Sequence, residues 1–349
     1  MIRVFAPGRI CLFGEHQDYL GLPVITAAID RYIHIEGRPQ AERVLEVALP
    51  DIGGEERIVL PQKGRPLPYR SSRDYLRSVC NVLSAEGLLP ERGARCTVRG
   101  TIPINAGTSS SSALCVAWTR FLLSLGGNKA DDARVAHLAW RAEVTEFGEP
   151  GGMMDQYASA LGGVRYIAFK PRIETKALPR PPGKFILGDS GEPKDTIGIL
   201  NRVRRDVEEA VAFLREKKPS FSLETATPDE ARALWDGADD ERRNLLTGAL
   251  KNRDILRRAL SLFNTAPLDG RELGRLLSLH HRVLAGELRI STPKIERMLR
   301  AATDAGAAGG KINGSGGGGC MFAYAPENAE KVARAIEQAG GRAHILQIV

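Results

Sequence analysis

Pro103-Ile104-Asn105-Ala106-Gly107-Thr108-Ser109-Ser110-Ser111-Ser112-Ala113-Leu114 is the stretch whose reading decides the fold of this chain. It combines a small-residue turn, four serines and the start of an apolar run. The segment Cys96-Thr97-Val98-Arg99 before it reads as a strand. Ala113, Leu114, Val116, Ala117, Phe121 and Leu122 after it recur with the spacing of a buried helix face. The order is therefore strand, small-residue loop, helix start. A helix start presents unpaired backbone N–H groups and the positive end of the helix dipole. Side chains this small let a bulky anion approach, which makes a phosphate cradle. The competing reading is an ordinary Ser-capped helix, although a single cap needs one serine rather than four and a glycine.

Working outward, 349 residues suffice for two domains or one large one. Hydrophobic content of 43% and charged content of 26% are those of a soluble globular protein. No run approaches the roughly 20 apolar residues of a membrane span, so no membrane partner is expected. Met1-Ile2-Arg3-Val4-Phe5 leads directly into a strand, with no signal peptide visible. The five cysteines (Cys11, Cys80, Cys96, Cys115, Cys320) form no C-x-x-C pair. That favours reduced thiols in a cytoplasm and argues against a zinc site. A net charge of +7 suits anionic ligands. The basic residues interleave with acids, as in Arg202-Val203-Arg204-Arg205-Asp206-Val207-Glu208-Glu209, which reads as a solvated helix face. With aromatics at 6% and no basic–aromatic module, no nucleic-acid partner is expected.

Upstream, Ala6 to Gly21 carries Arg9, Glu15, His16 and Asp18 within ten positions, framed by Gly8, Gly14 and Gly21. Polar groups this dense between apolar segments suggest a loop lining a pocket. Asp, Glu, His and Arg together bracket the hydroxyls of a polyol through charge-assisted hydrogen bonds. A charged surface loop is the competing reading. Leu12, Phe13, Val24 and Ile25 favour burial, and buried charges need partners.

Downstream, Gly126-Gly127-Asn128 ends the helix that follows the serines, and a second helix runs from about Asp131 to Glu146. Pro150-Gly151-Gly152 then breaks the chain, and Asp155 starts another helical segment. Asp155 reads either as a cap or as a carboxylate facing a ligand, with Gly151 and Gly152 leaving room beside it. A domain boundary is expected near 180, at Pro181-Pro182-Gly183, giving domains 1–180 and 181–349. Residues 196–305 read as mostly helical. His280-His281 point about 100° apart on such a helix and are poor joint metal ligands.

Gly314-Ser315-Gly316-Gly317-Gly318-Gly319 fits G-x-G-x-x-G. A dinucleotide loop follows a strand and opens a helix, whereas here a helix precedes and the strand Met321-Phe322-Ala323-Tyr324 follows. Gly310-Lys311 lacks the next Ser/Thr of a P-loop. What survives is a backbone loop able to approach a ligand closely.

A phosphate cradle, a polyol-binding loop, a positioned Asp and a second glycine loop together suit phosphoryl transfer from a nucleoside triphosphate to a hydroxyl. Mg²⁺ takes hard oxygen ligands, and a Ser hydroxyl with one carboxylate, Glu143 or Glu146, would serve.

Taken in order, these motifs resemble those of the GHMP kinase superfamily. Pro7-Gly8-Arg9-Ile10 through Gly14-Glu15-His16-Gln17-Asp18-Tyr19 resembles the galactokinase signature. Pro103 to Ala113 and Lys311 to Cys320 resemble the second and third family motifs, and Met153-Met154-Asp155-Gln156-Tyr157 the galactokinase base segment. The resemblance covers essentially the whole chain. It implies an α/β (α+β) two-domain fold, ribosomal-S5-like at the N-terminus and ferredoxin-like at the C-terminus. It implies ATP as phosphoryl donor, Mg²⁺, and a small-molecule sugar as partner. Asp155 matches the catalytic Asp and Arg9 the Arg that pairs with it. Glu15, His16, Asp18 and Gly152 match sugar-contacting positions, and Ser111 and Glu143 the Mg²⁺ ligands. Ala106, Gly107, Thr108, Ser109 and Ser110 match the phosphate loop, which Ser111 closes; Gly316, Gly317 and Gly318 match the third motif's loop.

The chain also departs from galactokinases. Gly107-Thr108 stands where they carry Gly-Leu, and Leu200 where they carry a sugar-contacting Tyr. Asp189 to Thr196 looks closer to the mevalonate-kinase version. The expected activity is an ATP-dependent, galactokinase-like sugar 1-kinase. Arabinose, galacturonate, glucuronate, a heptose phosphate or a mevalonate-type alcohol are the other acceptors. A non-catalytic ATP- and sugar-sensing regulator is the reading from another class.

Overall fold

The first strand, β1 (Ile2–Phe13), runs straight through Pro7 and Gly8 and is buried from Ala6 onward. The sequence reading placed a loop from Ala6, so Arg9 lies on a strand and the loop starts only at Gly14. Proline cannot donate to a sheet ladder and survives in a strand with a free edge. Among the described residues β1 pairs with β2 (Val24–Gln40) alone, which leaves it that edge. This computed structural model describes residues 1–62, 64–103, 107–237 and 239–349. They form two compact units: Met1–Arg9, Ala28–Ile104 and Ser109–Gly162 in the first, Ile10–Ala27, Asn105–Thr108 and Gly163–Val349 in the second.

In the first unit β2 pairs antiparallel with β5 (Gly93–Gly100). Next come β3 (Val44–Leu49), parallel to β5, and β4 (Gly54–Val59), antiparallel to β3. The helices are α1 (Tyr75–Ala85), α2 (Ser110–Leu125), α3 (Asp132–Glu143) and α4 (Met154–Leu161). α2 buries Ala113, Val116, Ala117, Phe121 and Leu122, as its apolar spacing predicts, whereas Leu114, expected on the same face, is only half-buried. Each large apolar side chain buried this way contributes about 1.5–3 kcal/mol. Trp118 stacks on Phe121 at 5.5 Å and donates its indole N–H to the Leu76 carbonyl at 3.1 Å. A buried tryptophan needs such an acceptor.

In the second unit residues 24–27 of β2 pair with β6 (Val164–Ala168), which pairs with β7 (Glu174–Leu178). β8 (Lys184–Asp189) follows, then α5 (Thr196–Lys217), α6 (Pro228–Leu234), α7 (Asp240–Phe263), α8 (Gly270–Gly286) and α9 (Pro293–Asp304). The chain closes with β9 (Gly309–Asn313), β10 (Cys320–Ala325), α10 (Ala329–Gln338) and β11 (Arg342–Leu346). These last strands and β8 form an antiparallel sheet ordered β11-β8-β10-β9, with α8, α9 and α10 packed on it. The succession strand, helices, two strands, helix, strand in that order is ferredoxin-like. The mixed α/β architecture is the one expected. The glycine run is the β9–β10 hairpin connection. Phe322 sits between Leu187 and Lys311 in register. His281 is a satisfied core histidine, with Glu296 at 2.8 Å from Nε2 and the Ile312 N–H at 3.3 Å from Nδ1. No helix among the described residues is long and apolar enough to cross a membrane.

Candidate active site

The expected site residues fall into two groups, one within each unit. In the first unit α4 carries Asp155 in its first turn, where the helix dipole favours a carboxylate. The N-cap position is Met153, so Asp155 does not cap the helix. Its oxygens face Arg9 instead. Arg9 Nε donates to Oδ1 and Nη2 to Oδ2, both at 2.7 Å. This two-pronged fork fixes the carboxylate plane. The Arg9 side chain is 4% exposed, whereas that of Asp155 is 28% exposed and keeps an open side.

Ser109 occupies the N-cap position of α2 with φ 61°, and its hydroxyl does not cap the helix. It donates to Asp155 Oδ2 at 2.6 Å. The competing Ser-cap reading therefore fails at the serine that would carry it. Ser110 opens α2 and is half-buried. Glu143, at the end of α3, is buried; Gln156 Nε2 donates to Oε2 at 2.6 Å, and the Ser111 and Ser112 hydroxyls are near enough to favour the charged carboxylate. Burial raises the Glu143 carboxyl above its ordinary range, against the opposing hydrogen bonds. Among the described residues no Lys or Arg forms an ion pair with it. A buried carboxylate beside a hydroxyl, with no protein cation, is a donor set that fits Mg²⁺. Gly152, half-buried, lies two residues before α4.

In the second unit Glu15 and His16 lie in the loop after β1, and Asp18, half-buried, opens a short 3-10 turn, Asp18–Leu20. Glu15 is 1% exposed and Lys311 of β9 wholly buried; the Lys311 ammonium donates to Glu15 Oε1 and, at 2.9 Å, to the Cys11 carbonyl. The Gly314 N–H also reaches Oε1, at 3.3 Å. Glu15 Oε2 is buried with no partner among the described residues. His16 reaches the Ser315 carbonyl with Nε2 at 3.0 Å and the Tyr19 hydroxyl with Nδ1 at 2.6 Å.

The Asn313 side chain ties the motifs of this unit together. Its Oδ1 accepts from the Cys11 N–H and its Nδ2 donates to the Gly107 carbonyl, each at 2.9 Å. Gly107 has φ +82°, and a Cβ there would lie 2.9 Å from the Asn313 carbonyl oxygen, so only glycine fits. The same Cβ position is 3.6 Å from Lys194 Nζ, which places an ammonium beside Gly107. Thr108 is buried, with no partner for its hydroxyl among the described residues. Gly316, Gly317 and Gly318 all have positive φ and pack against Ile290, Ile199 and Pro193 respectively. Ala106 lies outside the described residues.

Sequence reasoning passed over Gln156, Asn313 and Lys194 as functional, and the interior pairing of Lys311. A signal existed for Lys311 alone: a single cation between Gly310 and the apolar Ile312, next to a strand, needs a buried partner.

Comparison with known proteins comes from three directions. The model "GHMP kinases N terminal domain" matches residues 74–163, "GHMP kinases C terminal" residues 258–342, and "Galactokinase galactose-binding signature" residues 2–39. A mevalonate kinase of Thermococcus onnurineus is 29% identical, over 98% of this chain and 95% of its own. A galactokinase of Mannheimia succiniciproducens is 28% identical, over 96% of this chain and 88% of its own. Among solved structures, Lactococcus lactis galactokinase complexed with galactose superposes with a TM-score of 0.86 at 22% identity, covering 99% of this chain and 93% of that one. Methanococcus jannaschii mevalonate kinase gives 0.76 at 19%, covering 100% and 98%. At these identities the structural likeness speaks to the fold.

Proposed function

The chain belongs to the GHMP kinase family, phosphotransferases with an alcohol group as acceptor, and from that premise we propose that it is an ATP-dependent, galactokinase-like sugar 1-kinase. The observation that carries the acceptor class is the galactose-binding signature, whose matched span includes Arg9, Glu15, His16 and Asp18. In this reading the acceptor oxygen attacks the γ-phosphorus and the bond to the β–γ bridging oxygen breaks. ADP leaves, and the acceptor proton passes to Asp155 or, with Asp155 as orienting anion, to solvent.

Arg9 and Ser109 hold Asp155 in one orientation, which preserves the alignment that transfer needs. Assigned as acceptor contacts are Glu15 Oε2 and Asp18 in the second unit, where His16 neighbours Glu15 in the chain, and Gly152 in the first. Assigned to the triphosphate are, in the second unit, Gly107, Thr108 and the loop of Gly316, Gly317 and Gly318, with the Gly316 N–H as its first amide and Lys194 adding positive charge, and, in the first unit, Ser110. Ser111 and Glu143 hold Mg²⁺, which when bound neutralises phosphate charge. Five buried cysteines without a C-x-x-C pair support a reducing, cytoplasmic location. The strands of the first sheet end at Leu178 and those of the second begin at Lys184, which supports 1–180 and 181–349 as the two kinase domains in chain order.

A mevalonate-type alcohol is the second reading, favoured by relatives such as the Thermococcus mevalonate kinase, as similar as the galactokinases over the same length. One assay separates these readings. ADP release is followed over galactose, other sugars, sugar acids, a heptose phosphate and mevalonate, with phosphorus NMR of the product. Release with galactose and a phosphorus signal at the anomeric carbon is expected. Release with mevalonate alone overturns the sugar assignment. Binding without turnover across the panel favours a sensor.

A further inference from the structure

We propose that His16 is a positioning residue rather than an acceptor ligand: its ring clamps the loop after β1 to the glycine loop through Tyr19 and Ser315. A carbonyl oxygen only accepts, so Nε2, 3.0 Å from the Ser315 carbonyl, carries the ring proton. Nδ1 is then the bare nitrogen and accepts from the Tyr19 hydroxyl at 2.6 Å. A neutral imidazole has one donor and one acceptor, and the protein uses both. The ring is buried, with nothing left to offer a sugar hydroxyl.

The backbone agrees. His16 has φ 61°, a conformation that residues with a Cβ seldom adopt, and the two ring contacts hold it there. What the clamp fixes follows from peptide planarity. The Ser315 carbonyl and the Gly316 N–H belong to one rigid plane and point in opposite directions. Holding the carbonyl on His16 therefore aims the Gly316 N–H, the first amide of the glycine loop assigned above to the triphosphate. Farther along, the Gly317 N–H is spent on the Ile290 carbonyl at 2.7 Å, so the orientation of the Gly316 amide is the one that His16 sets.

The electrostatics keep the clamp in this form. Burial, with Arg202 on α5 and Lys311 on β9 facing the ring, lowers the His16 pKa to about 4 against the pull of the Ser315 carbonyl. At neutral pH the ring keeps the bare nitrogen that Tyr19 needs.

The role of the clamp in ATP binding rests on the kinase reading; the clamp itself does not. The test uses the full chain without ligand, then with ATP and the acceptor. His16→Asn suits the left-handed backbone and removes the ring, while Tyr19→Phe removes one hydroxyl. Hydrogen exchange of the 314–319 amides is expected to quicken about tenfold in His16→Asn and several-fold in Tyr19→Phe, the scale of losing one or two buried hydrogen bonds. KM for ATP is expected to rise in both variants. Unchanged exchange in both overturns the clamp, even if no acceptor is ever found. Faster exchange with KM rising for the acceptor alone overturns the link to ATP and returns His16 to the acceptor side.

Discussion

Two cation–carboxylate pairs use the same chemistry in opposite ways. Arg9 and Asp155 meet through a planar fork, and the carboxylate keeps an exposed side of 28%. Lys311 and Glu15 meet inside the second unit, exposed by 0% and 1%. Removing two charges from water costs several kcal/mol per ion, so a fully buried pair is weak evidence of net stabilisation. Its value here is positional. Lys311 neutralises Glu15 and holds Oε1, while Oε2 is buried and without a described partner. The fork does the complementary task. It locks the orientation of Asp155 from one side and leaves the other side open. One pair holds a carboxylate with an open side, and the other keeps a hydrogen-bond-accepting oxygen in the interior.

The comparison breaks most visibly at Asp155. Asp155→Asn is expected to lower turnover by about 10²–10⁴-fold, the usual range for a general base, with the circular dichroism of the fold retained. Retention of more than about a tenth of the rate would remove Asp155 from the chemistry. Lys311→Met should instead act on stability, by about 3–5 kcal/mol in urea unfolding, because it strands Glu15 in the interior. The double variant Lys311→Met with Glu15→Gln should recover much of that loss. A single-variant cost near zero would mean that the interior tolerates the lone carboxylate.

Ser109→Ala sharpens the open side. It removes one hydrogen bond to a charged group, about 1.5–3 kcal/mol, and should lower kcat/KM by roughly tenfold or more. An unchanged kcat/KM would show that Arg9 alone orients Asp155.

The most gradual effect, spread over more than two pH units, is on pH dependence. The folded-state pKa of His16 is depressed to about 4, so below its ordinary value of 6.5 the unfolded chain takes a proton that the folded one refuses. Stability should fall with acidification through that window by about 1.4 kcal/mol per pH unit for this group. Below about 4 the folded form also protonates and the slope ends. His280 and His281 shift in the same direction and add to the slope. His16→Asn should remove one proton's share between pH 6.5 and 4, read from urea midpoints. An identical slope in the variant would mean that the ring is not buried neutral.

Legibility followed the range of the interaction. The start of α2 was readable at Ser109 to Ala113 because helix spacing is local. β1 was cut short because Pro7 and Gly8 punctuate most strands, and only the pairing of β1 shows why they do not do so here. The roles of Arg9 and Asp155 came through resemblance, since 146 positions separate them and no local pattern joins them. Lys311 and Glu15 are 296 positions apart. Single-residue signals announced a buried charge at each end, but not that the two charges meet. The left-handed turn of Ser109 toward Asp155 had no signal, because serine at a helix start ordinarily caps.

The attachment of Asp155 also bears on how this scaffold can be re-engineered. Its described hydrogen bonds come from β1 and from Ser109 at the start of α2, and none comes from the Gly14–Gly21 loop. Within that loop Glu15 and His16 are tied to Lys311 and Ser315, so a change toward another alcohol falls on Asp18, while Asp155 keeps its mounting. On the proposed reading, a library at Asp18 alone would explore acceptor choice while leaving the Lys311–Glu15 pair and the His16–Tyr19 clamp in place.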